Sequence, residues 1–110
     1  MNSQFNSGFL LFNGVKRYMI RSWRHKGLKE FWFTGSKAGI QASHAPRLRR
    51  LLHQLNEVDN VSEMDWPGYH LHPLKGEKDG LWSVKVNGNW RLTFAFENGN
   101  AYILNYEDYH

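Results

Sequence analysis

The sequence predicts an α+β fold: a small antiparallel sheet of about four to five strands, with two N-terminal helices packed on one face. Three observations predict it. In the first half, apolar residues recur at helical spacing, as Leu28, Phe31 and Trp32 and again as Leu48, Leu51, Leu52, Leu55 and Val58. From Tyr69 onward the period changes to two, as in Trp82, Val84 and Val86, then Trp90, Leu92, Phe94 and Phe96. Short turn sequences, NGN and ENGN, separate these runs, so successive strands run antiparallel.

Residues 1–18, MNSQFNSGFLLFNGVKRY, are expected to be an extension ahead of the domain, flexible or upstream of a natural start at Met19. The run FLLF is too short to span a membrane. Lys16 and Arg17 follow it, whereas a signal peptide carries its charges in front. A single domain over 19–110 and a cytoplasmic location are the resulting expectations. The chain has no cysteine, which excludes disulfides, thiol nucleophiles and zinc–thiolate sites.

YMIRSW, residues 18–23, is a short β-rich run, after which Ser22 is positioned to cap a helix ending near Thr34. Gly35 suits the stop. A second helix starts at Pro46, a residue favoured in a first turn. Arg47, Arg49 and Arg50 crowd that turn, against the helix dipole, and point to contact with RNA or the ribosome, or simply to a solvated helix face. Residues 59–68 form a connecting loop.

The strands follow at 69–74, 82–86, 90–96 and 101–106. A three-residue loop, Asn87-Gly88-Asn89, puts Val86, Val84 and Trp82 opposite Trp90, Leu92 and Phe94. A type I′ turn at Asn98-Gly99 puts Phe96, Phe94 and Arg91 opposite Ala101, Ile103 and Tyr106. One face then collects Trp82, Val84, Val86, Leu92, Phe94, Phe96 and Ile103 for the core. The other collects His70, His72, Lys85, Arg91, Thr93, Tyr102 and Tyr106. The last strand runs toward Tyr109 and His110 near Arg91.

Charge adds a direction. Residues 16–50 hold ten Lys and Arg against one acid, Glu30, while 51–65 hold four acids and no base. So uneven a distribution suits a polyanionic partner. The open face could then handle RNA. Arg91 can hold a phosphate with two hydrogen bonds. His72 can exchange a proton near neutrality. Lys75 supplies positive charge, Lys85 lies on the same face, and Tyr109 can stack on a base or position a hydroxyl. Such a set suits attack of a 2′-hydroxyl on the adjacent phosphate. It requires no cofactor and no metal, and neither a HExxH motif nor a cysteine ligand is present. The same spacings also fit an exposed His72, an Arg91 paired with Glu107 or Asp108, and a frayed chain end.

LHPLKG at 71–76, NWRLTFAF at 89–96 and AYILNYEDYH at 101–110 closely resemble the HigB-type toxins, the host-inhibition-of-growth branch of the RelE/ParE toxin superfamily. MIRSWRHKGLKEFW at 19–32 resembles the family's start. The resemblance implies a RelE-like fold and a toxin of a type II toxin–antitoxin system. It implies a ribosome-dependent, metal-independent endoribonuclease that cuts translated mRNA, and a helix-turn-helix antitoxin as partner. It assigns His72, Lys75, Arg91 and Tyr109 to catalysis, with Asp108 and His110 as accessory residues. Two alternatives stand beside it: a gyrase-poisoning toxin of the same superfamily, and a non-catalytic RNA-binding module.

Overall fold

The computed structural model describes residues 19–109. The expectations for residues 1–18 and His110 lie outside them. Two helices, α1 (Lys26–Thr34) and α2 (Ala45–Leu55), precede an antiparallel sheet of β1 (His72–Pro73), β2 (Trp82–Asn87), β3 (Trp90–Glu97) and β4 (Asn100–Asp108), in the order β1-β2-β3-β4. The initial β-rich run lies parallel to β4 through bridges from Ile20 to Ala101 and from Trp23 to Leu104. It covers that half of the sheet edge.

Helix α2 forms because Leu48, Leu51, Leu52 and Leu55 fall on one stripe, and all four are fully buried. They pack in one cluster with Leu28 and Phe31 of α1 and with Val84, Leu92 and Phe94 of the sheet. Each buried leucine stabilises the fold by about 1.5–3 kcal/mol. Leu52→Ala is therefore expected to cost about 2–5 kcal/mol, readable as a lowered denaturant midpoint.

Helix α1 ends as expected. Gly35 adopts φ 82 and its N–H closes on the Phe31 carbonyl. Its start differs. The cap is His25, whose Nδ1 accepts from the Leu28 N–H at 3.0 Å. Ser22 is occupied elsewhere, since its Oγ accepts from the Ile103 N–H at 2.8 Å.

Strand β1 is shorter than the run from Tyr69 suggested. His70 sits at φ 52, outside the extended region, and breaks the strand before His72. Tyr69 still faces the core, and its carbonyl accepts from the Lys85 N–H at 2.7 Å.

Two register shifts revise the sheet. In β2–β3, Val84 faces Leu92 and Trp82 faces Phe94 as expected, but Asn87, not Val86, faces Trp90. The larger shift is in β4. Phe96 faces Ala101, yet Thr93 faces Asn105 and Arg91 faces Glu107, so β4 holds one extra residue. Ile103 takes a left-handed φ of 49 and is 44% exposed. Beyond this bulge every side chain changes face. Leu104 and Tyr106 enter the core, against the expectation of Ile103 in the core and Tyr106 on the open face. Tyr106 fills a box of rings, 4.5 Å from Trp90, 5.3 Å from His25 and 6.0 Å from His44. Its hydroxyl lies 2.6 Å from His44 Nδ1. Burial, opposed by the Gln41 N–H and reinforced by the Asp108 charge, raises the Tyr106 pKa.

Candidate active site on the open face of the sheet

The register places His72, Ser83, Thr93 and Asn105 side by side across the sheet, with Lys85, Arg91 and Glu107 one step along. All of these share the face opposite the helices. Tyr109 continues the row, because its N–H bonds the Asn89 carbonyl at 2.8 Å just past β4. The bulge at Ile103 decides this. In an unbulged strand, Tyr106 and Asp108 would share the open face and Tyr109 would point away.

His72 is exposed, and its Nδ1 lies 2.8 Å from the His70 carbonyl. A carbonyl only accepts, so Nδ1 carries the hydrogen and Nε2 is left to take or give a proton. The positive φ of His70 is what presents that carbonyl to the ring two residues on.

Arg91 is half-buried. Its Nη1 donates to the Gly88 carbonyl at 2.7 Å and to the Trp90 carbonyl at 3.1 Å. Those bonds use Nη1 alone, so Nε and Nη2 are not spent on them. Lys85 stands directly across on β2. Lys75 is exposed beyond β1.

Two residues outside the expected catalytic set, Lys78 and Glu107, lie between Thr93 and Tyr109. Lys78 Nζ is 2.8 Å from Glu107 Oε1 and 2.8 Å from the Tyr109 hydroxyl, and it sits 4.4 Å from the centre of the Tyr109 ring. Glu107 Oε2 accepts from Thr93 Oγ1 at 3.2 Å. Hydrogen bonds to Glu107 and Tyr109 raise the Lys78 pKa. Burial pushes the Glu107 carboxyl up, but Lys78, Thr93 and Asn105 outweigh it and the net shift is downward. Arg91 faces Glu107 across the ladder, yet the carboxylate's ion-pair partner is Lys78. Lys78 lies in KGEKDG, residues 75–80, a stretch of turn-forming residues that carries no catalytic signature of its own. Glu107 reaches the open face only because of the bulge.

The remaining expected residues are dispersed. Asp108 pairs with Trp90, so alternation puts it on the opposite side of β4 from Tyr109. On α2, Arg47 donates to the Lys85 and Gly68 carbonyls at 3.1 and 2.9 Å and lies 4.6 Å over the Tyr69 ring. It ties the helix to the sheet edge. Arg49 lies 5.2 Å from the Phe31 ring, and Arg49 and Arg50 are exposed beside Trp66. Among the described residues, no three His, Asp or Glu stand close enough to hold a metal ion. None of the described helices is long and apolar enough to cross a membrane.

The helices on one face and the row of His72, Arg91 and Tyr109 on the other suit a small toxin of the RelE type. Comparison with known proteins agrees: residues 21–110 match the family model of the RelE-like toxin of type II toxin–antitoxin system HigB. The chain belongs to this HigB-like toxin family. It is 47% identical over 92 residues to the endoribonuclease HigB of Proteus vulgaris, an alignment spanning 84% of this chain and 100% of that protein. Membership in a type II toxin family implies an antitoxin partner.

Proposed function

We propose that this toxin is an endoribonuclease that cuts translated mRNA by metal-independent attack of a 2′-hydroxyl on the adjacent phosphate. One observation carries the reading: the bulged register brings His72, Arg91 and Tyr109 to a single open face. The activity named for the Proteus vulgaris relative supports it.

Strands β1 and β4 are three steps apart, about 14 Å of sheet. The scissile phosphate sits over the middle, at Thr93, Lys85 and Arg91. His72 reaches in from β1 and Tyr109 from β4. His72 Nε2 takes the 2′ proton, and the 2′ oxygen then bonds to phosphorus. Arg91, through Nε and Nη2, holds two phosphoryl oxygens as the phosphorane forms. Lys75 and Lys85 add positive charge. The bond to the 5′ oxygen breaks and that oxygen takes a proton from solvent water, leaving a 2′,3′-cyclic phosphate and a 5′-hydroxyl. Tyr109 donates its hydroxyl hydrogen to the phosphoryl group.

Ribosome engagement falls to the basic face of α2. Arg49, Arg50 and His53 line a groove with Pro46, Gln54, Trp66 and Tyr69, and no carboxylate is among these. Trp66 is 55% exposed and stacks on Tyr69, a surface that favours RNA. A helix-turn-helix antitoxin in the cytoplasm completes the reading. The test is cleavage of an mRNA in a cell-free translation system, with the product ends identified. Cyclic phosphate and 5′-hydroxyl ends are expected. Products with 5′-phosphates would contradict the mechanism.

A further inference from the structure

We propose that Lys78 is a positioning residue for Tyr109, a clamp that fixes the chain's penultimate side chain on the open face. The inference rests on the reading that Tyr109 belongs to the active site.

The need for a clamp follows from the strand's end. Tyr109 lies one residue beyond β4, and its backbone is held by its N–H bond to the Asn89 carbonyl. That backbone bond alone does not fix the direction of the side chain. A side chain that must meet a phosphate cannot be left to sample many positions, since a displacement of about 1 Å can cost about a hundredfold in rate.

Lys78 supplies the missing restraint from the turn between β1 and β2. Its ammonium has three donors, and two are used, on Glu107 Oε1 and on the Tyr109 hydroxyl, both at 2.8 Å. The same nitrogen lies against the Tyr109 ring, so it restrains both the direction and the height of the side chain. Glu107 is itself anchored, because Thr93 is buried in the middle of β3 and donates to Oε2. A chain of contacts thus runs from the fixed centre of the sheet through Thr93, Glu107 and Lys78 to Tyr109.

The direction of the bonds also matters. Lys78 can only donate, so it occupies a lone pair of the Tyr109 oxygen and leaves the hydroxyl hydrogen free for substrate. It also neutralises Glu107, a carboxylate that would otherwise repel phosphate from the face.

The test is a mutant cycle on the purified full chain, reading single-turnover cleavage of mRNA in the cell-free translation system. Lys78→Met and Tyr109→Ala are each expected to slow cleavage about tenfold to a hundredfold. The double variant is expected to be no slower than the slower single, because one residue acts through the other. Lys78→Arg should restore part of the rate. Lys78→Met/Glu107→Gln should stay slow, since removing the carboxylate's repulsion does not restore the clamp. Lys78 is half-exposed, so melting curves of all variants should stay cooperative; Lys78→Gln replaces Lys78→Met if they do not. Multiplicative losses would overturn the clamp and make Lys78 an independent contact to substrate. A wild-type rate in Lys78→Met with a slow Tyr109→Ala would overturn the clamp alone. A wild-type rate in Tyr109→Ala would overturn the placement of the site, and the clamp with it.

Discussion

At His72 a backbone carbonyl selects the tautomer. The His70 oxygen holds the hydrogen on Nδ1, which in the proposed mechanism leaves Nε2 for the substrate. His72→Ala is expected to slow RNA cleavage by about 10²–10⁴-fold without lowering the melting temperature, since the ring is exposed. Arg91→Ala should cost about 10²–10³-fold in the same assay, and Arg91→Lys should recover little, because a point charge cannot hold two phosphoryl oxygens. His25 differs in kind, because its work is structural. Burial, partly offset by its backbone hydrogen bond, lowers its pKa from 6.5. A proton on Nδ1 would remove the acceptor that caps α1. The stabilisation is therefore fully present above pH 6.5 and is lost as pH falls through the lowered folded value. His25→Ala should cost about 1 kcal/mol at neutral pH. His25→Asn, which caps without titrating, should flatten the loss of melting temperature below neutrality. The Lys78–Glu107 pair brackets neutrality. The Glu107 share is lost as pH falls through its depressed value, and the Lys78 share as pH rises through its raised one. Its half-exposed ammonium keeps the pair's worth to about 1 kcal/mol or less.

Among the elements, β4 carries the largest consequence. One extra residue at Ile103 exchanges the faces of everything after it. Deleting Ile103 should return Tyr106 to the open face and turn Tyr109 away, with loss of cleavage, an altered near-ultraviolet spectrum and a lower melting temperature. Ile103→Gly should instead keep the bulge, because glycine adopts a positive φ without strain, and should retain activity. The approach of α1 to the following loop is as demanding. A Cβ on Gly39 would meet the Cα of Gly27, with backbone on both sides. Gly39→Ala is expected to cost about 1–3 kcal/mol in denaturant unfolding. Much of this architecture was legible in the sequence. The leucine stripe of α2, the Gly35 stop, the pairing of Val84 with Leu92 and that of Phe96 with Ala101 follow from periodicity and turn chemistry. The bulge was not legible, because alternation counts residues and a β-branched isoleucine is a poor candidate for a left-handed φ. What holds it is Ser22, eighty-one positions away in sequence. His72, Arg91 and Tyr109 could therefore be picked out as chemistry, but the face of Tyr109 and the presence of Lys78 and Glu107 depended on tertiary structure.

Across the whole molecule, the helices occupy one face of the sheet and leave the other open, so the proposed chemistry falls on the side away from the core. The cationic residues are divided as well, since Lys85, Arg91 and Lys78 serve the open face while Arg49 and Arg50 stand on α2. Arg49→Glu/Arg50→Glu is expected to weaken toxin binding to ribosomes and to reduce its salt dependence, while leaving the melting temperature within about 2 °C, as both side chains are exposed. A sedimentation assay across a salt series checks it. The measurement that bears most directly on the central claim is a map of mRNA 5′ ends in bacteria expressing either the full chain or one lacking Tyr109 and His110. New ends within translated codons are expected for the full chain and none for the truncated one. Equal cleavage by both chains would contradict the terminal site, and arrested growth with no cleavage by either would contradict the ribonuclease itself.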